Sequence, residues 1–498
     1  MQPKKIRTAL ISVYYKDKLD EIVKLLNEND VTIYSTGGTR SFIEDLGIQV
    51  EPVEDLTGYP SILDGRVKTL HPKVFGGILA IRNQDHLEQL EKYDIPELDL
   101  VIVDLYPFEE TVKNTTNQEE IIEKIDIGGI SLIRAAAKNF NDVVIVPSRN
   151  DYDYLLEILK KQGTTLNLDQ RKHLAARAFQ VSSSYDEAIH NWFLGAEERP
   201  LRYGENPHQE ATFKGSLKSV FSEIYEGKEL SYNNLVDVEA AVRLMREFRQ
   251  SSPTFAILKH TNACGIASAP TILEAWKIAL AADPLSAFGG IFIANTTIDL
   301  ATAQEVNNLF YEVVIAPSYS PEAYQLLCSK KGRIVMTLST YDYGTRSQKS
   351  LLGGVLVQGQ DSSNPEEQTL NSVTNLKPTD AQTADLIFAI KCVKHLKSNA
   401  ISLVKNQQLI SMGCGQTSRV DALKQAIQKA QNFGFDIEGA VIASEAFFPF
   451  SDCVQIAAEH KIAAIAQPGG SKKDQDSIDE ANKLGVAMVL TGVRHFLH

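Results

Sequence analysis

Short apolar runs alternate with amphipathic stretches over residues 6 to about 160. The pattern predicts strands at residues 6–13, 31–34, 100–105 and 143–146, and helices at residues 18–27, 40–46, 118–124 and 130–138. Strands separated by helices are typical of βαβ units, so we expect an α/β, doubly wound domain with a mainly parallel sheet. A long helical stretch at residues 169–192 and a linker at residues 194–200 would end this domain.

The second half of the chain repeats the α/β pattern and contains a regular spacing. Gly265 and Gly415 each precede a helical pattern, and the next strands begin at Ile291 and Val441. Both glycine-to-strand intervals are 26 residues long. The spacing predicts an internal duplication. We therefore expect domains at residues 1–196 and 197–498, the second split into lobes at about 200–360 and 361–498, with a joint in the polar stretch 361–378.

Composition and charge argue against some classes of function, such as nucleic-acid binding and membrane association. The chain has 498 residues, of which 43% are hydrophobic and 23% charged, with a net charge of -13. Such an acidic chain without a long basic stripe argues against nucleic-acid binding. No apolar stretch approaches the ~20 residues that cross a bilayer, so we expect no membrane partner. Five cysteines without a C-x-x-C pair favour reduced thiols, and we predict a cytoplasmic protein.

Basic and imidazole side chains gather in two places. The first is residues 65–72, Gly-Arg-Val-Lys-Thr-Leu-His-Pro, and the second combines residues 202–208 with residues 259–262. Both contain or adjoin glycine and proline, which favour loops over helices. In an acidic protein these clusters predict two separate sites for phosphorylated small molecules.

Several loops of the first half are candidates for the first of these sites. Ligands of doubly wound sheets bind beyond the carboxyl ends of the strands, where residues 12–16, 35–39 and 104–107 are expected. The Ser-Thr-Gly-Gly-Thr run at 35–39 precedes a helix and is suited to a phosphate, although a plain helix-capping turn is an equal alternative. Three other residues also have structural alternatives: Lys138 as a helix C-terminal lysine, Asp126 as a helix cap and Tyr106 as a core residue.

The motifs at residues 65–72, 126–129 and 135–139 resemble the N-terminal domain of the bifunctional AICAR formyltransferase/IMP cyclohydrolase family. The resemblance implies a methylglyoxal-synthase-like fold and a site that cyclises FAICAR to IMP with loss of water. It implies nucleotide contacts at Ser12, Lys16, Ser35, Gly37, Gly38, Arg66, Lys68, Thr69 and Asp104. It also implies that Lys138 is the cyclisation base and that Lys68, Tyr106 and Asp126 assist it.

Three residues depart from the family pattern at this site. Tyr14 and Tyr15 stand where the family has Ser-Asp in Ser-Val-Ser-Asp-Lys, and Asp104 replaces the asparagine of Asn-Leu-Tyr-Pro-Phe. An additional carboxylate near a nucleotide phosphate is unfavourable unless it is paired. An alternative function is therefore formyl transfer alone, with a catalytically weakened N-terminal domain that binds a nucleotide.

Motifs throughout the second half resemble the formyltransferase domain of the same family, so the resemblance spans almost the whole chain. They lie at residues 202–208, 230–235, 259–265, 283–290, 397–399, 415–419, 447–452 and 491–496. The resemblance implies that His260 takes a proton from the AICAR amine, and that Lys259 stabilises the oxyanion or protonates the departing folate. It assigns nucleotide contacts to Arg202, Tyr203, Gly289, Glu312, Asn399, Arg419, Phe447 and Arg494, and folate contacts to Val420, Asp452 and Ser471.

The family also implies the co-substrate, the fold and the assembly. These are 10-formyltetrahydrofolate as formyl donor, a cytidine-deaminase-like fold present twice, and a homodimer whose formyltransferase site lies across the interface. The P-C-x-x-C spacing of zinc deaminases is missing, so we expect no metal requirement. A purine-nucleotide sensor without catalysis is the remaining alternative, and the Lys259–His260 pair counts against it because a sensor needs no base.

Overall fold

A computed structural model describes residues 3–60, 62–63, 67–195, 197–363 and 370–498. The chain divides into two compact units, Met1–Ala196 and Glu197–His498. Arg66, a predicted nucleotide contact, lies outside the described residues. No helix of the described residues is long and apolar enough to cross a membrane.

The first unit alternates strands and helices in the order that the apolar pattern predicts. Its strands are β1 (Lys4–Lys5), β2 (Thr8–Ser12), β3 (Thr32–Ser35), β4 (Glu51–Pro52), β5 (Leu100–Val103), β6 (Val144–Val146) and β7 (Thr165–Leu166). Its helices are α1 (Leu19–Glu28), α2 (Gly37–Asp45), α3 (Val53–Thr57), α4 (Pro72–Leu79), α5 (Gln84–Lys92), α6 (Phe108–Asn114), α7 (Gln118–Ile122), α8 (Gly128–Lys138), α9 (Tyr152–Gln162) and α10 (Leu168–Phe193).

A parallel sheet forms the centre of the first unit, in the order β4-β3-β2-β5-β6. The expected doubly wound α/β fold is confirmed. The chain leaves β2 in one direction towards β3 and in the other towards β5, so the order reverses at β2. Ligands of such sheets bind in the crevice at this reversal, outside the carboxyl ends of the strands. The loops that follow β2 and β5 are therefore the expected place for the first site.

The second unit is built mainly on one sheet. Its strands are β8 (Glu197–Leu201), β9 (Ala211–Gly215), β10 (Phe221–Glu226), β11 (Thr254–Lys259), β12 (Asn262–Ser268), β13 (Gly290–Ala294), β14 (Tyr311–Ala316), β15 (Ile334–Leu338), β16 (Arg346–Leu351), β17 (Gly354–Gly359), β18 (Asn371–Ser372), β19 (Ile401–Lys405), β20 (Gln408–Gly413), β21 (Val441–Ser444), β22 (Ala464–Gln467) and β23 (Ala487–Leu490). Its helices are α11 (Tyr232–Arg246), α12 (Ile272–Ala282), α13 (Leu300–Asn307), α14 (Pro321–Cys328), α15 (Asp380–Val393), α16 (Arg419–Asn432), α17 (Asp452–Glu459) and α18 (Asp474–Leu484).

This sheet consists of two copies of one topology. The first repeat, β10 to β15, has the sheet order β10-β15-β14-β13-β11-β12, and the second, β18 to β23, has the order β18-β23-β22-β21-β19-β20. In each repeat the hairpin strands pair antiparallel with each other, and the first hairpin strand and the edge strand also pair antiparallel with their neighbours; the other two pairs are parallel. The repeats join where β12 pairs with β20. The predicted duplication is thus confirmed by topology.

The spacing that suggested the duplication does not align the repeats. Gly265 pairs with Ile257, two residues before the end of β11, whereas the residue at that place in the second hairpin is Ser411, paired with Leu403. Gly415 follows β20 and is not the counterpart of Gly265. The two equal intervals are therefore coincidental, because the helix that follows the hairpin differs in length: α12 has 11 residues and α16 has 14.

Two predicted connections also differ from the structure. The linker expected at residues 194–200 is wrong from Glu197 onwards, because β8 begins there and pairs with β9. The joint expected at residues 361–378 lies partly outside the described residues, and its described part includes β18, which pairs with β23. Both segments are polar in sequence, yet each contributes a described strand to a sheet.

Candidate functional site

A cavity of about 760 Å³ lies at the carboxyl ends of β2 and β5 in the first unit. It contains most of the residues that the sequence assigned to the first site. Its walls include Ser12, Tyr14, Lys16, Thr36, Gly37, Gly38, Thr39, Lys68, Thr69, Asp104, Tyr106, Ile125, Asp126, Gly128 and Gly129. Strand ends, a helix N-terminus and lysines therefore converge on one space, as the ligand rule for doubly wound sheets requires.

Two lysines and the start of α2 form the cationic end of this cavity. Gly37 has a φ of 48°, and a Cβ at this position would lie 3.3 Å from Lys68 Nζ. Lys16 Nζ donates to Thr39 Oγ1 at 3.2 Å, and burial lowers the pKa of Lys16. The N-terminal N–H groups of a helix and neighbouring ammonium groups together attract an anion. This end of the cavity suits a phosphate.

Ser35 lies next to the cationic end of the cavity, but its hydroxyl is engaged in a hydrogen bond within the sheet. The hydroxyl is buried and donates to Ile11 O at 2.7 Å, which ties β3 to β2. The walls at this point are formed instead by Thr36 and the residues up to Thr39. Thr36 and Thr39, rather than Ser35, therefore present the side chains next to the cavity.

Asp126 caps α8 and also lines the cavity. Its Oδ1 accepts from the N–H of Gly129 at 2.5 Å and of Ile130 at 3.4 Å, so the helix-cap alternative is confirmed. A Cβ at position 129 would lie 2.9 Å from both carboxylate oxygens, which explains the glycine. Burial raises the pKa of Asp126, although its bonds to backbone N–H groups oppose the rise. Tyr106 is 46% exposed at the cavity, so the alternative that it is a core residue is wrong.

Lys138 is not among the residues that line the cavity. It is exposed at the last turn of α8, whereas Gly128, Gly129 and Leu132 at the other end of this helix form the wall. A helix of this length rises about 15 Å from its first to its last residue. The structure therefore supports the alternative in which Lys138 stabilises the carboxyl end of the helix.

The unusual carboxylate Asp104 is paired. It accepts hydrogen bonds from the N–H groups of both Tyr14 and Tyr15, the latter at 3.0 Å. Burial raises the pKa of Asp104, and Lys16 and the two backbone N–H groups moderate the rise. These hydrogen bonds pair the carboxylate with the loop after β2. The repulsion expected between Asp104 and a phosphate is thus reduced.

The second predicted site begins at the end of β11. Lys259 Nζ donates to Phe288 O at 2.8 Å and to Gly289 O at 3.0 Å. Gly289 has a φ of 66°, and a Cβ there would lie 3.1 Å from Lys259 Nζ. An ammonium group has three donors, so these two bonds fix Lys259 and leave one donor for a ligand.

His260 occupies the tight turn between β11 and β12. His260 and Thr261 have φ values of 51° and 66°, as in two-residue hairpins of type I′. The turn is held by Asp237 of α11, which accepts from the N–H of Thr261 at 2.7 Å. Burial raises the pKa of Asp237, and the nearby His260 and Lys259 oppose the rise. No motif in the sequence points to Asp237, so its role is visible only in the structure.

Glu312 forms an ion pair that the sequence did not reveal. Its partner is Lys228, and Asn234 Nδ2 donates to Glu312 Oε2 at 3.4 Å. Burial and the charge of Arg202 lower the pKa of Lys228. Arg202 lies over the ring of Tyr203, 5.4 Å from its centroid. Lys228, Glu312 and Arg202 thus form a group of three charged residues at the first repeat.

A second group of site residues surrounds Arg419 in the second repeat. Arg419 donates to Asn399 Oδ1 at 2.8 Å, to Ser444 Oγ at 2.9 Å and to the carboxylate of Glu445. Glu445 is fully buried and also accepts from the N–H of Ala400 at 3.1 Å. A buried carboxylate that pairs with a guanidinium fixes its orientation. Glu445 was missed because its partner lies 26 residues away in sequence.

The other predicted residues of the second repeat lie near helix starts and loops. Val420 is the second residue of α16, Asp452 is the first of α17, and Ser471 accepts from the N–H of Lys473 at 3.1 Å. Phe447 is 37% exposed and Arg494 lies 4.3 Å over the ring of Phe496.

One contact joins the repeats beside these two groups. Cys414 Sγ donates to Asn262 Oδ1 at 3.5 Å, close to the His260 turn. The hydrogen bonds and ion pairs described above otherwise run within each group. Among the predicted formyltransferase residues, direct contacts therefore join Lys259 to Gly289 in the first repeat and Asn399 to Arg419 in the second.

Comparisons with known proteins agree with the layout of the chain. The family described as "AICARFT/IMPCHase bienzyme" matches residues 136–429, and the "MGS-like domain" matches residues 18–131. The chain is 55% identical to the "Bifunctional purine biosynthesis protein PurH" of Bacteroides thetaiotaomicron, over 100% of both chains. It is 46% identical to the protein of that description from Acetivibrio thermocellus, over 99% of this chain and 100% of the relative.

Proposed function

This chain belongs to the AICARFT/IMPCHase bienzyme family, and we propose that its two activities take place at two separate sites. The chain is a bifunctional enzyme of purine biosynthesis with AICAR formyltransferase and IMP cyclohydrolase activities. The resemblance inferred from the motifs is thereby confirmed, and so is the order of an MGS-like domain followed by a bienzyme domain. We place cyclisation in the cavity of about 760 Å³ in the first unit, and formyl transfer around Lys259 and His260 in the second.

For formyl transfer, we place the chemistry at the turn after β11. The imidazole of His260 accepts a proton from the AICAR amine while the amine nitrogen bonds to the formyl carbon of 10-formyltetrahydrofolate. The bond from that carbon to the folate nitrogen then breaks, and this nitrogen takes up a proton. The third donor of Lys259 faces the oxyanion or the leaving nitrogen, and the bonds to Phe288 and Gly289 keep it in place.

The two groups of formyltransferase residues support a shared site. Arg202, Tyr203, Gly289 and Glu312 lie in or next to the first repeat, whereas Asn399, Arg419, Phe447 and Arg494 lie in or next to the second. We propose that AICAR contacts both groups, that Val420, Asp452 and Ser471 contact the folate, and that a homodimer completes each site across its interface. We also propose that this dimer is cytoplasmic and that catalysis needs no metal.

For cyclisation, the carboxamide nitrogen of FAICAR attacks the formyl carbon of the same molecule, and water leaves to give IMP. We assign the phosphate to the cationic end formed by Lys16, Lys68 and the start of α2. Lys68, Tyr106 and Asp126 then surround the reacting atoms and move protons there. Positioning supplies much of the rate in such an intramolecular step. Because Lys138 lies at the far end of α8, we assign the base to Lys68 instead.

The observation that carries this proposal is the convergence of Lys16, Lys68, Asp126 and Tyr106 on one cavity at the sheet reversal. The test is an assay with AICAR and 10-formyltetrahydrofolate that follows free tetrahydrofolate and IMP separately. We expect both products. A second assay starts from chemically made FAICAR and bypasses formyl transfer. Release of tetrahydrofolate in the first assay, with no IMP formed in either assay, would leave formyl transfer alone, with the first unit as a nucleotide binder.

A further inference from the structure

The three residues that depart from the family pattern touch one another. Asp104 follows β5, whereas Tyr14 and Tyr15 follow β2, and the carboxylate accepts the N–H groups of both tyrosines. A side chain that bonds two successive backbone N–H groups fixes the path of the loop. The departures therefore form one structural unit, in which the carboxylate sets the direction of the two aromatic rings.

The ring of Tyr15 is turned away from the nucleotide cavity. Its hydroxyl donates to Glu110 Oε2 at 3.1 Å, and the guanidinium of Arg149 lies 4.0 Å over its ring. Arg149 is in turn paired with Asp17 at 3.2 Å. Tyr15 lines a smaller neighbouring cavity of about 340 Å³. Its ring is thus occupied by contacts within the protein.

The ring of Tyr14 borders the nucleotide cavity itself. It is 48% exposed, and its centroid lies 6.0 Å from that of Tyr106 with the planes at 84°. The backbone carbonyl of Tyr14 faces the cationic end, where it accepts from Lys16 Nζ at 3.3 Å. Tyr14 therefore spans the distance between the phosphate end and Tyr106, the residue assigned to the reacting atoms.

We propose that Tyr14 is a ligand-contacting residue, which together with Tyr106 forms an aromatic corner for the flat heterocycle of the nucleotide. This inference rests on the proposed function of the cavity. Two rings at nearly a right angle let a planar ligand stack on one ring and meet the edge of the other. The contact also removes the exposed ring of Tyr14 from water, which favours the bound state. Asp104 positions Tyr14 through the hydrogen bond to its backbone N–H.

The test measures binding of IMP and of ribose 5-phosphate by calorimetry, because the second ligand carries the phosphate and lacks the base. We expect Tyr14→Ser, which restores the usual family residue, to raise the Kd for IMP about three- to tenfold. Tyr14→Phe keeps the ring and should bind IMP within about twofold of the wild type. Ribose 5-phosphate should bind all three proteins equally, and Tyr15→Phe should match the wild type for both ligands.

Two results would overturn the role of Tyr14. One is unchanged IMP affinity in Tyr14→Ser, and the other is an equal loss for IMP and ribose 5-phosphate, which would mean that the ring only shapes the loop. A wild-type protein that binds neither ligand, while its formyltransferase activity is intact, would instead refute the proposed function of the cavity. The wild-type titration therefore separates the failure of the inference from the failure of its premise.

Discussion

Asp237 and Asp385 occupy the same position in the two repeats of the second unit. Each is the sixth residue of its helix, α11 or α15, and each accepts backbone N–H groups from the following two-residue hairpin turn. Asp385 bonds the N–H groups of Asn406 and Gln407 at 2.8 and 2.7 Å. An aspartate holds both turns in the same way. The first turn contains His260, whereas the second contains Asn406, which cannot act as a base.

This pair provides a matched test of positioning. We expect Asp237→Asn to lower kcat for formyl transfer at least tenfold, because the turn that holds His260 loses a charged acceptor. Asp385→Asn should leave kcat unchanged in folded protein, because the turn that it holds contains no proposed base. Equal effects of the two variants would assign Asp237 a purely structural role.

The two activities should separate by mutation. His260→Ala should abolish formyl transfer and leave the conversion of FAICAR to IMP within about twofold of the wild type, because the proposed cyclisation cavity lies in the other unit. Lys259→Ala should behave in the same way. Lys68→Ala should do the reverse, and each variant serves as the folding control of the other. If His260→Ala lost both activities while it remained folded, the two-site proposal would be wrong.

Much of this architecture is visible in the sequence because it depends on local pattern. The strands around residues 8–12, 100–103 and 144–146 are apolar runs between amphipathic helices, and the structure confirms them. The duplication was also detectable, although the glycine spacing that suggested it aligns the wrong residues. The sequence alone could not reveal that Gly265 and Gly415 are not equivalent, because the register of each hairpin is set by how its two strands pair.

The sequence could not predict which residues contact the site residues. Asp237, Lys228 and Glu445 are ordinary charged residues, and what makes them relevant is a contact with a residue 24 or more positions away. Lys228 meets Glu312, and Glu445 meets Arg419. The pairing of Asp104 with the Tyr14 loop spans 90 residues. The sequence therefore indicates an unfavourable carboxylate, and only the fold shows which backbone N–H groups pair with it.

The position of Lys138 leads to a direct comparison with Lys68. Lys68 lines the cavity, whereas Lys138 is the last residue of α8, about 15 Å along the helix axis from Gly128 at the cavity wall. We expect Lys68→Ala to reduce kcat for FAICAR cyclisation at least a hundredfold, and Lys138→Ala to reduce it much less. Steady-state IMP formation from FAICAR measures both, and formyltransferase activity confirms folding. A loss in Lys138→Ala as large as in Lys68→Ala would restore Lys138 as the base.

The burial of Asp104 predicts a pH dependence of local stability. Burial raises its pKa in the folded protein above the ordinary value of about 3.9, so the folded state binds this proton more readily than the unfolded state. The resulting stabilisation is complete below that ordinary value and is lost as pH rises through the raised pKa. Asp104→Asn removes this titration, so the stability of the wild type relative to the variant should increase as pH falls from 7 towards 4.

Hydrogen exchange of full-length protein measures this difference at peptides from β2 and β5, after correction for the intrinsic effect of pH on exchange. Protection of these strands in the wild type, relative to Asp104→Asn, should grow steadily over the acid range. Peptides from β22 in the second unit provide the control and should be identical in both proteins. A difference between the proteins that is constant with pH would mean that the bonds to Tyr14 and Tyr15 keep Asp104 ionised throughout, which would contradict the predicted rise in its pKa.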